Sequence, residues 1–240
     1  VNEDDDVMTS HPTVTQETSS PLSADIRLLG NLLGVVIREQ HGAAAFDLVE
    51  RVRAGAKARR ANEPGAAEEL AAIIGGLHLH DWQILIKAFS NYFQLINIAE
   101  DQQRIRVLRQ REAEERPDET IDDAVHSLKA AGLSAADVRA LLDQVRLRLV
   151  LTAHPSEAKR KEVLIKLRHI AQMMARRDQY ALLPREQQLM EAAITEEIEE
   201  LWQTRPTRAS RATVADEVDF GLYFITSVIM DTTIDVYIDL

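Results

Sequence analysis

The sequence has no cysteine, and it has fewer basic residues than acidic ones. With no cysteine among its 240 residues, disulfides, thiolate zinc sites and cysteine nucleophiles are excluded. Lys and Arg number 28 against 39 Asp and Glu, which gives a net charge of −11. This balance argues against nucleic acid as the main partner, because proteins that bind phosphate backbones need a basic surface. A small anion could still bind in a local basic pocket.

Long apolar runs and targeting signals are also missing. No uninterrupted apolar run approaches the roughly 20 residues of a membrane span. The N-terminus opens with acidic residues and not with a basic and then apolar signal. We therefore expect a cytoplasmic protein that does not bind a membrane. At 45 % apolar and 28 % charged residues, the composition is that of a globular protein with a sizeable core.

Helical patterns dominate, and the sequence divides into three regions. Residues 1–22 are acidic and then rich in Ser, Thr and Pro, so we expect a disordered tail there. Residues 23–145 are expected to form a helical region that starts at a candidate N-cap, Ser23. Breaks are predicted at Gly42, at 62–65 and at Gly75-Gly76.

The later helices of this region have their own start signals. Apolar residues from Trp82 onward recur at helical spacing and predict one long helix that ends near Glu115. The pairs Thr120 with Asp123 and Ser134 with Asp137 resemble capping boxes, and they predict two short helices.

The third region, residues 146–240, opens with "RLRLVLTAHPSEAKRK". Leucines alternate with Arg148 and Val150, which predicts one short strand near 147–152. The alternative that this segment is helical stays open, because its residues tolerate both structures. A single strand leaves backbone groups unpaired, and the apolar stretch "LYFITSVIMDTTIDVYIDL" ends without a cap. We therefore expect the chain to be part of a longer one, with helices near 157–177 and 184–203 and from 214 onward.

A histidine follows the predicted strand. Pro155 disfavours the helical conformation at His154, so the imidazole is expected in a bent loop between strand and helix, where α/β barrels carry their catalytic residues. Ser156 is placed to cap the next helix, and Arg160 is expected one turn further on the same face. A base with a typical pKa of about 6.5 beside a helix N-terminus and an arginine suits proton transfer on an anionic substrate. His154 is thus the candidate catalytic residue and Arg160 the candidate substrate-binding residue.

The segment "VLTAHPSEAKRK" resembles the active-site histidine signature of the phosphoenolpyruvate carboxylase family. Three further stretches are similar to the same family in the same order: "DIRLLGNLLGVVIREQHG", "AFSNYFQLINIAEDQQRIR" and "LWQTRPTRASRATVADEVDFGLYF". Ser156 stands where the family has Thr, which keeps the hydroxyl. Lys161 replaces the second Arg of the family's basic pair, and Arg and Lys are not equivalent where a bidentate contact is needed.

The resemblance implies a fold and an activity. It implies that the chain is the mostly α-helical N-terminal part of a helix-rich (β/α)8 barrel, with one barrel strand near 147–152. The implied reaction joins bicarbonate to phosphoenolpyruvate and gives oxaloacetate and phosphate, with His154 as general base on carboxyphosphate. Mg²⁺ or Mn²⁺ is the implied cofactor, with its ligands outside this chain. A homotetramer is implied for the full-length enzyme.

Other interpretations have less support from the residues. A phosphotransfer module would carry its histidine within a helix, which Pro155 opposes, and a helical interaction domain without carboxylase activity gives no reason for the four similar stretches. His78 and His80 form an H-x-H pair, but residues two apart on a helix face different ways. Since no third ligand is evident, we predict no metal site within this chain.

Overall fold

A computed structural model describes residues 20–114, 120–146, 148, 160–205 and 213–239. Every regular element in this part of the chain is helical. The helices are α1 (Pro21–His41), α2 (Ala43–Arg60), α3 (Ala66–Gly75), α4 (Leu79–Ala113), α5 (Ile121–Ala130), α6 (Ala135–Leu142), α7 (Lys161–Gln179), α8 (Pro184–Gln203), α9 (Val214–Phe224) and α10 (Met230–Asp239), with a π-helical turn at Ile225–Ile229 between the last two. The prediction of a mostly α-helical fold is confirmed. The strand predicted near 147–152 falls outside the described residues, apart from Arg148.

The first helix begins earlier than predicted. Pro21 occupies the first turn, and the Ser20 hydroxyl accepts a hydrogen bond from the Ser23 backbone N–H at 3.3 Å. The cap is therefore Ser20, and the prediction of Ser23 as the cap is wrong. Proline explains the difference, because it fits the first helical position with its fixed φ and needs no donor there. The predicted tail, residues 1–22, thus overlaps the start of α1, and residues 1–19 lie outside the described part.

Other predicted boundaries are confirmed. Gly42 ends α1 with a φ of +83°, a conformation that glycine adopts at low cost, and α2 begins directly after it. The long helix α4 ends at Ala113, close to the predicted end near Glu115. Thr120 and Ser134 cap α5 and α6 by accepting hydrogen bonds from the backbone N–H groups of Asp123 and Asp137.

The core lies among α1, α2, α4, α7 and α8, with α3 packed against α2. Its fully buried members include Leu29, Val36, Leu95, Ile170, Met174, Ile198 and Trp202. Helices α5 and α6 bury no residue in the described structure. The bundle therefore takes its apolar stabilisation from the helices that pack around α4.

The last helical segment is different in character. Val214–Ile238 is long and apolar enough to cross a membrane by length and composition, and none of it is buried. Asp231 and Asp235 interrupt this segment, so it is apolar on average although it contains no uninterrupted apolar run of membrane-span length.

Candidate active site

The predicted catalytic loop is only partly within the described structure. His154 and the predicted cap Ser156 lie outside the described residues. Arg160 is described and stands at the N-cap of α7, with an extended backbone (φ −64°, ψ 144°). Its carbonyl oxygen accepts hydrogen bonds from the N–H groups of Val163 and Leu164 at 3.0 and 3.2 Å. The helix therefore begins at Lys161, and the prediction that places Arg160 one turn inside a helix starting near 157 is wrong.

A run of positive charge stands at the start of α7. The sequence at this point is Lys159-Arg160-Lys161, and a helix N-terminus is itself the positive end of the helix dipole. A helix that began near 157 would place Lys159 and Arg160 in its first turn. In α7 the acidic residue Glu162 falls in the first turn, where its charge is favourable.

The Arg160 side chain is half-buried and makes an ion pair within its own helix. Its Nε lies 3.3 Å from Glu162 Oε2, and about a third of the side chain is exposed, at 33 %. Among the described residues Glu162 is its acidic partner, and one such contact uses few of the five guanidinium N–H donors. The neighbouring Lys161 places its Nζ 5.7 Å from the centre of the Tyr223 ring in α9. The entrance to α7 is thus basic, and one cation there reaches toward the exposed apolar helix.

The body of α7 is fixed by apolar and ionic contacts. Val163, Ile170 and Met174 are buried at 2 % exposure or less. On its polar side, Lys166 donates to Glu200 and His169 Nδ1 lies 2.7 Å from Glu197 Oε1, both on α8. The hydrogen bond from Lys166, and its charge, lower the pKa of Glu200. These contacts set the direction of the helix that follows the predicted catalytic loop.

A buried ionic network anchors the other end of α7. Asp25 in α1 is only 2 % exposed, and it accepts hydrogen bonds from Arg106 Nη2 at 2.5 Å and Arg177 Nη1 at 2.7 Å. Arg106 also donates to Asp178, from Nε at 2.6 Å and from Nη2 at 2.8 Å. Gln102 donates to Asp178 at 2.7 Å. One network therefore connects α1, α4 and α7.

The electrostatics of this network follow from its hydrogen bonds. Burial opposes ionisation of Asp178, but hydrogen bonds from Arg106 and Gln102 outweigh burial and lower its pKa below the ordinary value. The hydrogen bond to Asp178 is also the largest of the causes that raise the pKa of Arg106. Sequence reasoning missed the network. A signal was present, since Asp25 stands four residues before Leu29 in the apolar stripe of α1, where an acid needs a buried partner.

A second polar cluster surrounds the buried Trp202 at the end of α8. Its indole Nε1 donates to His41 Nε2 at 3.2 Å, and Lys87 Nζ lies 4.7 Å from the centre of the indole ring. The His80 ring centre is 6.1 Å from that of His41. Desolvation, then the charges of Lys87 and His80, lower the pKa of His41. The hydrogen bond from Trp202 uses His41 Nε2 as its acceptor, a role that the neutral imidazole can fill.

The H-x-H pair has a structural setting. His78 is the N-cap of α4, and its backbone N–H donates to the Asp81 carboxylate at 3.2 Å. Asp81 is thereby used as a helix cap. Within the described ranges, no group of three or more His, Cys, Asp or Glu side chains could hold a metal ion.

Comparison with known proteins adds a family assignment. The family described as phosphoenolpyruvate carboxylase matches residues 22–240. A phosphoenolpyruvate carboxylase of Roseiflexus castenholzii is 43 % identical over 231 residues, which cover 93 % of this chain and 24 % of the relative. Its counterpart in Rhodothermus marinus is 38 % identical over 226 residues, 92 % of this chain and 24 % of that protein. The chain therefore spans about a quarter of the length of the curated relatives it matches.

By fold, the described part of the chain is a helical bundle followed by an exposed apolar helix, and the basic entrance to α7 lies within the bundle part of the sequence. The family match covers all of these elements. The chain belongs to the phosphoenolpyruvate carboxylase family.

Proposed function

We propose that this chain is the N-terminal part of an enzyme that joins bicarbonate to phosphoenolpyruvate and releases oxaloacetate and phosphate. The observation that carries the proposal is the family match over residues 22–240, which includes the histidine signature around His154. The two substrates are anions, and the described entrance to α7 presents cationic side chains. We also propose that the full-length enzyme is a cytoplasmic homotetramer.

In this proposal His154 is the general base. It takes the proton from carboxyphosphate, so that CO₂ is released beside the enolate of pyruvate. An imidazole suits this step because its ordinary pKa lies near neutral pH, where it can accept and return a proton. Pro155 disfavours a helical backbone at the histidine, and α7 begins seven residues later, at Lys161.

Arg160 is proposed to bind a phosphate or carboxylate group of the substrate. A planar guanidinium matches either group with two parallel hydrogen bonds. Its position at the N-cap places it beside the free N–H groups of the first turn of α7, which also attract anions. The contact with Glu162 is exposed, since that side chain is 56 % accessible, so an anion of higher charge can displace it at small cost.

The metal is proposed to bind outside this chain. Mg²⁺ and Mn²⁺ need several oxygen ligands in close geometry, and the described residues do not fit, as they contain no such group of three. Carboxylates beyond this quarter of the enzyme are proposed as its ligands.

The exposed segment 214–238 is proposed to pack against the rest of the enzyme. Its apolar side chains include Val218 at 54 % exposure, Ile234 at 56 % and Ile238 at 73 %. Exposed apolar surface of this extent marks an interaction site. The acidic residues on the same segment would be costly in lipid, and so we favour protein and not membrane as the cover.

The test is oxaloacetate formation by the complete gene product with His154→Asn. Asparagine cannot act as a base, so the rate constant kcat should fall by about 100-fold or more. His126→Asn is the matched control. His126 lies on α5 with a side chain that is 70 % accessible, and it is proposed neither as the base nor as a substrate-binding residue. Full activity in the His154 variant would refute the assignment of the base, whereas an inactive unmodified protein would refute the proposed reaction.

A further inference from the structure

A groove of about 580 Å³ runs between α1 and α2 and is closed on one side by α4. Its walls include Ser23, Arg27 and Arg38 from α1, Arg53 from α2 and Tyr92 from α4. The two helices form an antiparallel hairpin around Gly42, so the end of α2 lies beside the start of α1. The point at which the chain enters α1 is therefore at one end of the groove.

The groove is strongly basic. Arg27, Arg38 and Arg53 line it, and Lys57 and Arg60 lie one and two turns beyond Arg53 on the same face of α2. Among the described residues Glu50 is the one carboxylate in its lining, and it pairs with Arg53 at 2.6 Å. The lining, with three arginines and Glu50, has a formal charge of about +2, and Lys57 and Arg60 beside it add two more, on a chain whose net charge is −11.

Three of these cations have no acidic partner. In the part of the chain that the structure describes, no carboxylate lies within ion-pair distance of Arg27, Lys57 or Arg60. Arg38 instead stacks on Phe46, with its guanidinium carbon 3.8 Å from the ring centre. A group of unpaired cations along a groove is complementary to an extended acidic segment.

The chain itself contains such a segment. Residues 1–19 include Glu3, Asp4, Asp5, Asp6 and Glu17 and have neither Lys nor Arg. About fourteen residues separate Asp6 from the start of α1, which allows a reach of up to about 48 Å. The groove from Ser23 to Arg38 follows about 22 Å of helix. The four clustered acids can therefore reach every cation of the groove.

We propose that residues 3–6 dock in this groove and form an intramolecular ionic contact with Lys57, Arg60 and Arg27. Tethering makes the contact effective despite the weakness of single exposed ion pairs, because both partners belong to one chain and their effective concentration is high. This inference is independent of the proposed catalytic activity.

The test uses a carbodiimide, which joins a carboxylate directly to a lysine amine, on the intact protein. Lys57 is the one lysine among the groove cations, so docking predicts a cross-link between residues 3–6 and Lys57, located by mass spectrometry. The cross-link should be lost at about 0.5 M salt, where screening shortens the range of the attraction to a few ångströms. Lys129 on α5 is the internal control and should not be cross-linked to this segment.

Variants separate docking from chance encounter. A triple variant should abolish the cross-link between Glu3 and Lys57; it combines Asp4→Asn, Asp5→Asn and Asp6→Asn. Glu3 keeps its reactive carboxylate in this variant, so the loss of its cross-link would show that docking needs the other three acids. Arg60→Gln should weaken it, whereas Arg185→Gln on α8 should not. Equal cross-linking of Lys57 and Lys129 would overturn the proposal. So would cross-links that join different copies of the chain in a mixture of ¹⁴N- and ¹⁵N-labelled protein.

Discussion

Arg106 and Asp25 stand 81 residues apart in the sequence, and the Nη2 of one lies 2.5 Å from the Oδ2 of the other. The arginine extends from the long helix α4, and the aspartate lies on the apolar face of α1. Because Arg106 also binds Asp178, this one guanidinium connects the start of the bundle to the end of α7. The contact therefore belongs to the frame that supports the predicted catalytic loop.

Asp25→Asn should lower the free energy of unfolding by about 2–4 kcal/mol, because it removes one charge from a buried network and its single carbonyl oxygen can accept from only one of the two arginines, while its NH2 group faces the other. Urea titration measures the change. Glu50→Gln is the matched control, since it breaks an exposed pair with Arg53 and should cost less than about 1 kcal/mol. A cost for Asp25→Asn as small as that of the control would show that the network adds no stability.

Acid should weaken the same network. The pKa of Asp178 is lowered in the folded chain, so its contribution is fully present above the ordinary value of 3.8 and is lost as the pH falls through the lower, folded value. Stability should therefore decline below about pH 4, in addition to the general acid effect. In Arg106→Gln the part due to Asp178 should be smaller, because the hydrogen bond from Arg106 is the largest of the interactions that lower its pKa. Urea midpoints measured between about pH 5 and 3 compare the two proteins.

His41 should give a separate pH dependence. Its pKa is lowered from 6.5, so the stability it contributes is present above that value and falls as the pH drops toward the folded pKa. On protonation, Nε2 can no longer accept the indole N–H, and Lys87 and His80 repel the new charge. Fluorescence of Trp202, isolated by Trp82→Phe, should change over this range. His41→Gln should remove the change and His126→Gln should leave it intact.

Two glycines of α1 should respond oppositely to alanine. A Cβ on Gly34 would lie 2.7 Å from Phe46 Cε2, whereas one on Gly30 would lie 3.5 Å from Tyr92 Cε2, an ordinary contact. Gly34→Ala should therefore destabilise the fold by about 1–3 kcal/mol. Gly30→Ala should stabilise it by up to about 1 kcal/mol, because alanine favours the helix. Thermal unfolding of both variants provides the comparison, and equal shifts would contradict the packing argument.

The 240-residue chain alone should have no carboxylase activity. Its match covers 24 % of the Roseiflexus relative, and its described residues supply no metal site. The measurement is release of phosphate from phosphoenolpyruvate with and without bicarbonate. Release that depends on bicarbonate would contradict the prediction.

Local signals predicted much of the fold. Helix ends are marked in the sequence, because caps and breaks depend on residues that are close in the chain. The marks are Gly42, Pro184 and the pairs Thr120 with Asp123 and Ser134 with Asp137. The long helix α4 was predicted from its apolar period. Where local rules competed, the prediction was wrong, as at Ser23, where Pro21 and Ser20 define the start of the helix.

Contacts between distant residues could not be predicted in the same way. Arg106 and Arg177 look like ordinary surface cations, and only the packing of α4 and α7 against α1 brings them to Asp25. The same holds for His41 and Trp202, which meet because α1 and α8 end at the same side of the bundle. For the active site, the sequence supplies His154 as a prediction, and the structure supplies the position of Arg160 and the supports of α7.

The π-helical turn at Ile225–Ile229 determines the direction in which the side chains after it face, relative to those before it, around the axis of the apolar helix. A wide turn holds one more residue than an α-helical turn would, and one residue corresponds to a rotation of about 100°. Deleting a single residue there would rotate Met230, Ile234 and everything after them around the helix axis relative to Val214 and Val218. The orientation of the apolar surface is therefore more sensitive to the length of this segment than to the identity of its residues. Replacing one apolar residue by another leaves the surface apolar, whereas deleting one residue turns part of it in another direction.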